Sequence, residues 1–104
     1  MTNKQLEEYI PVLFERMEAI LKGKNHDYTS LSGDAFANFR QSEEFGVDPL
    51  IALCIRMGDK FKRVQTFCKN GELRVQNEAV DDAFRDLIGY SVLALAMLSE
   101  KQYP

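Results

Sequence analysis

The sequence predicts an all-α fold, one four-helix bundle-like domain over residues 1–104. Three observations carry this. Apolar residues recur every three or four positions in long stretches, the period of an amphipathic helix. Helix punctuation stands where those stretches begin and end, with Asp48–Pro49 before one and Asn70–Gly71 after it. Strand-like pieces are as short as Leu73–Val75.

In the first stretch Leu6, Ile10, Leu13, Phe14, Met17, Ile20 and Leu21 line one helical face. Pro11 falls within it, so either a short turn precedes the helix or the helix bends there. The segment Gly23 to Gly33 (GKNHDYTSLSG) holds one aliphatic residue between its glycines and predicts a loop. Ser32 or Asp34 then caps a shorter helix carrying Phe36, Phe39 and Phe45 and ending before Gly46. Asp48, a capping side chain, and Pro49, fixed at a helical φ, start the third helix. Its expected buried face is Leu50, Leu53, Cys54, Met57, Phe61, Val64 and Cys68. After a connector over Glu72–Gln76, Asn77 caps a last helix from about Glu78 to Lys101, with Asp81 and Asp82 near its positive end. That helix is apolar nearly all round beyond Leu87 and is expected at the bundle's centre.

Composition narrows the function classes. A chain of 104 residues with 45% hydrophobic content buries a core without disulfide or metal staples. The longest apolar run, Ser91 to Leu98, falls far short of the ~20 residues that span a bilayer. The expectation is a soluble, cytoplasmic protein, with no membrane partner. Cys54 and Cys68 form no metal-ligand pattern and suit a reducing compartment. A net charge of −3 and a pI near 5.1 argue against duplex nucleic acid as a partner, since phosphate neutralisation supplies most of that affinity.

Charge is segregated between the two long helices. Arg56, Lys60, Lys62, Arg63 and Lys69 face one anion, Asp59, on the third, and Glu78, Asp81, Asp82 and Asp86 outnumber Arg85 on the fourth. Arg56, Asp59, Lys60 and Arg63 form a continuous polar stripe, while Glu78, Asp82 and Asp86 repeat every four residues. Such stripes are often solvated faces with weak cross-helix pairs. Gly58 and Gly89 sit inside these helices, where glycine costs ~1 kcal/mol and marks a close approach or room for a ligand. Together these features point to a crevice between the two helices. Around it Lys24 and His26 offer charge-assisted donors, Ser30 a hydroxyl, and Tyr28 or Phe39 a stacking surface for a base.

The stretch Asp82 to Tyr90 resembles the acidic helix of the all-α nucleotide pyrophosphatases of the MazG type, whose carboxylates hold Mg²⁺ on a triphosphate. The chain is more similar to a small phage and prophage branch associated with nucleotide metabolism. The residues that carry this likeness are Lys24, Asp27, Tyr28, Ala35, Phe36, Asn38, Phe39, Gly46, Val47, Arg56, Met57, Asp59, Lys60, Arg63, Asp82, Asp86, Leu87 and Tyr90. Arg56 stands where the resemblance places a ligand carboxylate. A guanidinium cannot ligate a metal, but it contacts phosphate bidentately.

The resulting expectation is a nucleotide-binding, phage-type protein that sequesters a cyclic nucleotide immune signal without hydrolysing it, an anti-defence role in the host cytoplasm. The expected ligand-binding residues are Lys24, His26, Tyr28, Ser30, Asn38, Phe39, Arg56, Lys60 and Arg63, with no cofactor and with the loop from Lys24 to Ser32 as a cap. Homo-oligomers are expected, both from apolar residues near the ends (Tyr9, Leu73, Val75, Tyr103) and from the resemblance. One alternative is a Mg²⁺-dependent nucleoside triphosphate pyrophosphohydrolase, with Asp59, Asp82 and Asp86 on the metal; the other is a protein interaction module.

Overall fold

The computed structural model describes residues 1–29, 33–71 and 79–100. The fold is all-α. Among the described residues the elements are α1 (Asn3–Thr29), a 3-10 helix η1 (Ala37–Phe45), α2 (Pro49–Asn70) and α3 (Val80–Glu100). They fall into two compact units, Met1–Ala37 and Asn38–Pro104. No helix among the described residues is long and apolar enough to cross a membrane.

In the first unit α1 begins earlier than its apolar spacing predicts. Thr2 Oγ1 accepts from the Gln5 backbone N–H at 3.1 Å, and Gln5 Oε1 accepts from the Thr2 N–H at 2.8 Å. This reciprocal capping box satisfies two donors that a helix start otherwise leaves open. Pro11 lies inside the helix, the second of the two outcomes its position allowed. The larger difference is at the other end, where the expected loop from Gly23 is helical as far as Thr29. Polar residues do not break a helix when its backbone bonds continue, and one exposed glycine costs only ~1 kcal/mol. His26 in the last turn sits favourably at the negative end of the dipole. The Lys22–Glu18 pair, 2.8 Å apart, adds an i, i+4 contact. The hydrogen bond and charge of Lys22 hold the Glu18 carboxyl below its ordinary pKa. Burial in α1 falls on Met17, with Leu13 and Leu21 half-buried, whereas Leu6, Ile10, Phe14 and Ile20 of the expected face are exposed.

Asp34 turns the chain toward η1 as expected of a cap, its Oδ1 accepting from the Phe36 N–H at 3.1 Å. Phe36 is buried, as is Phe39 in η1, but Phe45 at the end of η1 is 83% exposed. Gly46 leaves the helix at φ +72°, a conformation that costs glycine nothing.

The second unit is organised by α2 packed on α3. Asp48 caps α2 through a 2.8 Å bond from the Leu50 N–H, and Pro49 occupies the first turn. The helix closes at Gly71, in the left-handed region at φ +76°, whose N–H donates to the Phe67 carbonyl at 2.7 Å. Both ends lie where the punctuation places them. The first described residue of α3 is Val80, and the expected cap Asn77 with Glu78 lies outside the described residues.

The buried face of α2 differs from the expected one. Leu53 and Val64 are buried, Leu50, Met57 and Phe67 half-buried, and Cys54, Phe61 and Cys68 exposed. The seam residues are therefore Leu50, Leu53, Met57, Lys60, Val64 and Phe67. Lys60 belongs to this seam because its aliphatic stem packs while its ammonium finds a partner across the helices. In α3 burial is confined to Ala83, Gly89 and Met97 on one side, so the helix is not buried all round: Phe84, Val92 and Leu95 are open.

Leu53, with no exposed surface, is expected to be the most sensitive apolar position of α2. Leu53→Ala should lower unfolding free energy by about 2–5 kcal/mol through lost transfer and cavity terms, whereas Phe45→Ala should stay within about 0.5 kcal/mol. Denaturant titrations of the two variants check the contrast.

Candidate functional site

The stripe Arg56–Lys60–Arg63 runs along one flank of the α2/α3 seam, and two linked arrangements form there. Lys60 Nζ lies 3.0 Å from Asp86 Oδ2, with side-chain exposures of 25% and 21%. Partial burial makes this pair more than a surface contact, because each charge, having lost much of its water, depends on the other. One turn back along α2, the Arg56 guanidinium stands over the Phe39 ring with its carbon 5.9 Å from the centroid. One turn on along α3, Tyr90 meets the same ring edge to face, at 6.3 Å and 81°. η1 thus delivers a buried aromatic ring between an arginine of α2 and a tyrosine of α3.

The placement of Phe39 has a local cause. Ser42 Oγ lies 2.9 Å from the Phe39 carbonyl oxygen and 2.8 Å from that of Val47, tying η1 to the turn before Asp48. Val47 N–H donates to the Ser42 carbonyl at 3.0 Å and Gly46 N–H to that of Glu43 at 3.0 Å. The ring is therefore anchored from the Asp48–Pro49 start of α2. A guanidinium held over an aromatic ring keeps its planar fork of N–H donors, the geometry that holds a phosphate or carboxylate bidentately. A shallow hollow lined by Arg40, Glu43, Gly46, Val47, Asp48 and Pro49 lies beyond this turn.

Of the expected ligand-binding residues the structure brings together Phe39, Arg56 and Lys60, with half-buried Arg63 three residues further along the stripe and exposed Asn38 next to Phe39. Lys24 and His26 stand exposed on the last turns of α1, in the other unit. His26 Nδ1 is 3.9 Å from Asp27 Oδ1, too far for a hydrogen bond. The backbone of Tyr28 lies in the last turn of α1; its side chain, Ser30 and the end of the expected cap, Leu31 and Ser32, lie outside the described residues. Sequence reasoning misses Tyr90 as a site residue, although its place four residues after Asp86 is the signal that puts it on the same face.

The carboxylates are dispersed. Asp82 accepts from Arg85 on its own helix at 3.0 Å, Asp81 lies 3.8 Å from the same arginine, Asp86 is engaged by Lys60, and Asp59 is exposed. Among the described residues no three His, Cys, Asp or Glu side chains converge as a metal site. Gly58 faces open space, with nothing within 4 Å of where a Cβ would stand, so it makes no close approach within the chain. Gly89, in contrast, is buried.

Residues 24–98 match the family described as nucleotide modification associated domain 1. The chain belongs to this family. The match takes in η1, α2 and nearly all of α3, so the Phe39, Arg56, Lys60, Asp86 and Tyr90 arrangement lies wholly within the nucleotide modification associated domain. No curated protein and no solved structure is significantly similar to the chain.

The Lys60–Asp86 pair is expected to behave as a coupled unit. Lys60→Met and Asp86→Leu should each destabilise by about 1–3 kcal/mol, since each removes the opposite charge from a half-buried group. The double variant should cost less than the two together. A denaturant double-mutant cycle measures the coupling, and additive losses would show that the two charges act independently.

Proposed function

We propose that the flank bearing Phe39, Arg56, Lys60 and Arg63 binds a nucleotide or nucleotide derivative and holds it intact. The observation that carries this reading is the Arg56 guanidinium placed over a buried ring in a chain of the nucleotide modification associated family. Contact with the ring spares Arg56 part of the entropy cost of being ordered on binding, and its planar set of donors suits a phosphate. Asn38, exposed beside Phe39, adds an amide for a base or sugar edge. Asp86 offsets the charge of Lys60 until an anion competes for it.

Within this reading the ligand is a cyclic dinucleotide or oligonucleotide signal and the role is that of a sponge, in a phage-type protein of the host cytoplasm that works as a homo-oligomer. The phage-like pattern described above supports the setting. Sequestration rather than turnover is supported by Arg56 at the place of a ligand carboxylate and by the engagement of Asp82 and Asp86 with cations. The reading requires no cofactor.

The test is incubation with a panel of nucleoside triphosphates and cyclic nucleotides, with chromatography before and after heating. Intact ligand released by heat is the expected result. Mg²⁺-dependent pyrophosphate release, lost in Asp86→Asn, would replace it with the pyrophosphohydrolase reading, and no ligand at all would leave the interaction module. For a ligand so found, Arg56→Ala should weaken binding roughly ten- to hundredfold, about 1.5–3 kcal/mol, and Arg56→Lys should recover only part of it. A fall in melting temperature with unchanged affinity would assign Arg56 to the scaffold.

A further inference from the structure

The flank opposite Arg56 carries a second pattern. With about 100° between successive helical residues and Leu53 pointing at α3, Arg56 and Arg63 lie to one side of α2, while Cys54, Gly58, Phe61 and Ile51 lie to the other. On α3, with Ala83 pointing at α2, Asp82 and Asp86 lie to one side and Phe84, Ile88 and Leu95 to the other, with Val92 facing directly away. The helices run antiparallel, since Lys60 meets Asp86 and, one turn back on α2, Arg56 meets through Phe39 the residue one turn on in α3, Tyr90. Right-handed winding of antiparallel helices then brings the two apolar sets onto the same side of the pair. Ile51, Phe61, Phe84 and Leu95 are between 51% and 67% exposed there.

We propose that this side is a self-complementary interface with a second copy of the chain, in which α2 packs antiparallel on the partner's α3 about a two-fold axis parallel to the helices. Three features select a second copy as the occupant. The first is register: extended from the Lys60–Asp86 level, Ile51 stands level with Leu95, Gly58 with Ile88 and Phe61 with Phe84, each to within one residue. An axis parallel to the helices preserves these levels, so Ile51 and Phe61 meet the partner's Leu95 and the partner's Phe84, and the open space at Gly58 faces the partner's Ile88. The second is area. Given roughly 150–250 Å² for a large apolar side chain, the exposed fractions of these four leave on the order of 400 Å². That falls within the size of a functional patch on a monomer, and with the polar rim around it supplies about half of the ~800 Å² per partner of a standard interface. The third is charge: at the rim Lys62 of α2 falls within about a turn of the partner's Asp81, opposite in sign. An isologous contact of this kind closes on itself and leaves both polar flanks outside. It gives self-association a surface and does not rest on ligand binding.

Light scattering of the full chain at micromolar concentration should return twice the 11.9 kDa chain mass. Phe61→Glu and Leu95→Glu, both at exposed positions of the single chain, should return the single mass with helical circular dichroism retained. A register test complements these. Ser91→Cys places a thiol opposite the partner's Cys54, while within one chain the two point side by side from neighbouring helices, too far apart for a disulfide. Mild oxidation with copper phenanthroline should give a covalent dimer that disappears when Cys54→Ser is added. A single-chain mass for the unaltered protein, an unchanged dimeric mass in both Glu variants, or no Cys54-dependent cross-link would each overturn the proposal.

Discussion

The ion pair between Lys60 and Asp86 sets the level at which α2 and α3 meet. Two amphipathic helices with aliphatic seams can slide past one another by a turn at modest cost, because Leu, Val and Met fill one another's places readily. A half-buried charge pair does not tolerate that slip, since a shift of one turn, ~5.4 Å, leaves both charges short of water and of each other. In this unit the pair also fixes what lies one turn away on each helix, namely Arg56 and Tyr90, and hence the walls against which the Phe39 ring rests.

The electrostatics of the polar flank follow from that arrangement. Lys60 is neutralised locally by Asp86, and Asp82 is drawn to Arg85 on its own helix, so the cationic character of α2 is concentrated at its edge rather than cancelled along its length. Arg56 occupies that edge with its orientation restrained by an aromatic ring. A lysine there would keep the charge and lose the plane. The flank is thus built from a small number of directional contacts on rigid helices, the condition under which a polar group discriminates between ligands.

Much of this is readable in the chain, for reasons that differ from element to element. Asp48–Pro49 and Gly71 act through backbone chemistry that needs no tertiary partner, and the structure has α2 start and stop there. Thr2 and Gln5 belong to the same class of signal, but they precede the first apolar residue and so escape a reading anchored on hydrophobic spacing. The segment after Gly23 reads as a loop by composition, yet composition reports solvent exposure, which an exposed helix end shares with a loop. The seam of α2 is hidden by Lys60. Once a lysine is assigned to the surface, Cys54, Phe61 and Cys68 complete the apparent face, and only the partner on α3 shows that the lysine stem belongs inside. The candidate site divides the same way: Arg56, Lys60 and Arg63 share a stripe because helical geometry requires it, whereas the expected place of Lys24 and His26 depends on a loop that is helical instead.

The ring at the middle of the polar flank is carried by an unusual support. A nine-residue 3-10 helix is long for its kind, because its hydrogen bonds are poorer in geometry and its side chains eclipse every third residue. Phe39, Ser42 and Phe45 form one such eclipsed ridge, the first buried, the second bonded to carbonyls on both sides and the third open to solvent. Rewinding the segment as an α-helix would shorten it by about 0.5 Å per residue, some 4–5 Å over its length, and swing these three side chains out of line. The bearing of the aromatic ring is thus a matter of pitch: a tightly wound coil, latched by one serine hydroxyl, holds the ring against Arg56 and Tyr90, and the same residues wound more loosely would withdraw it.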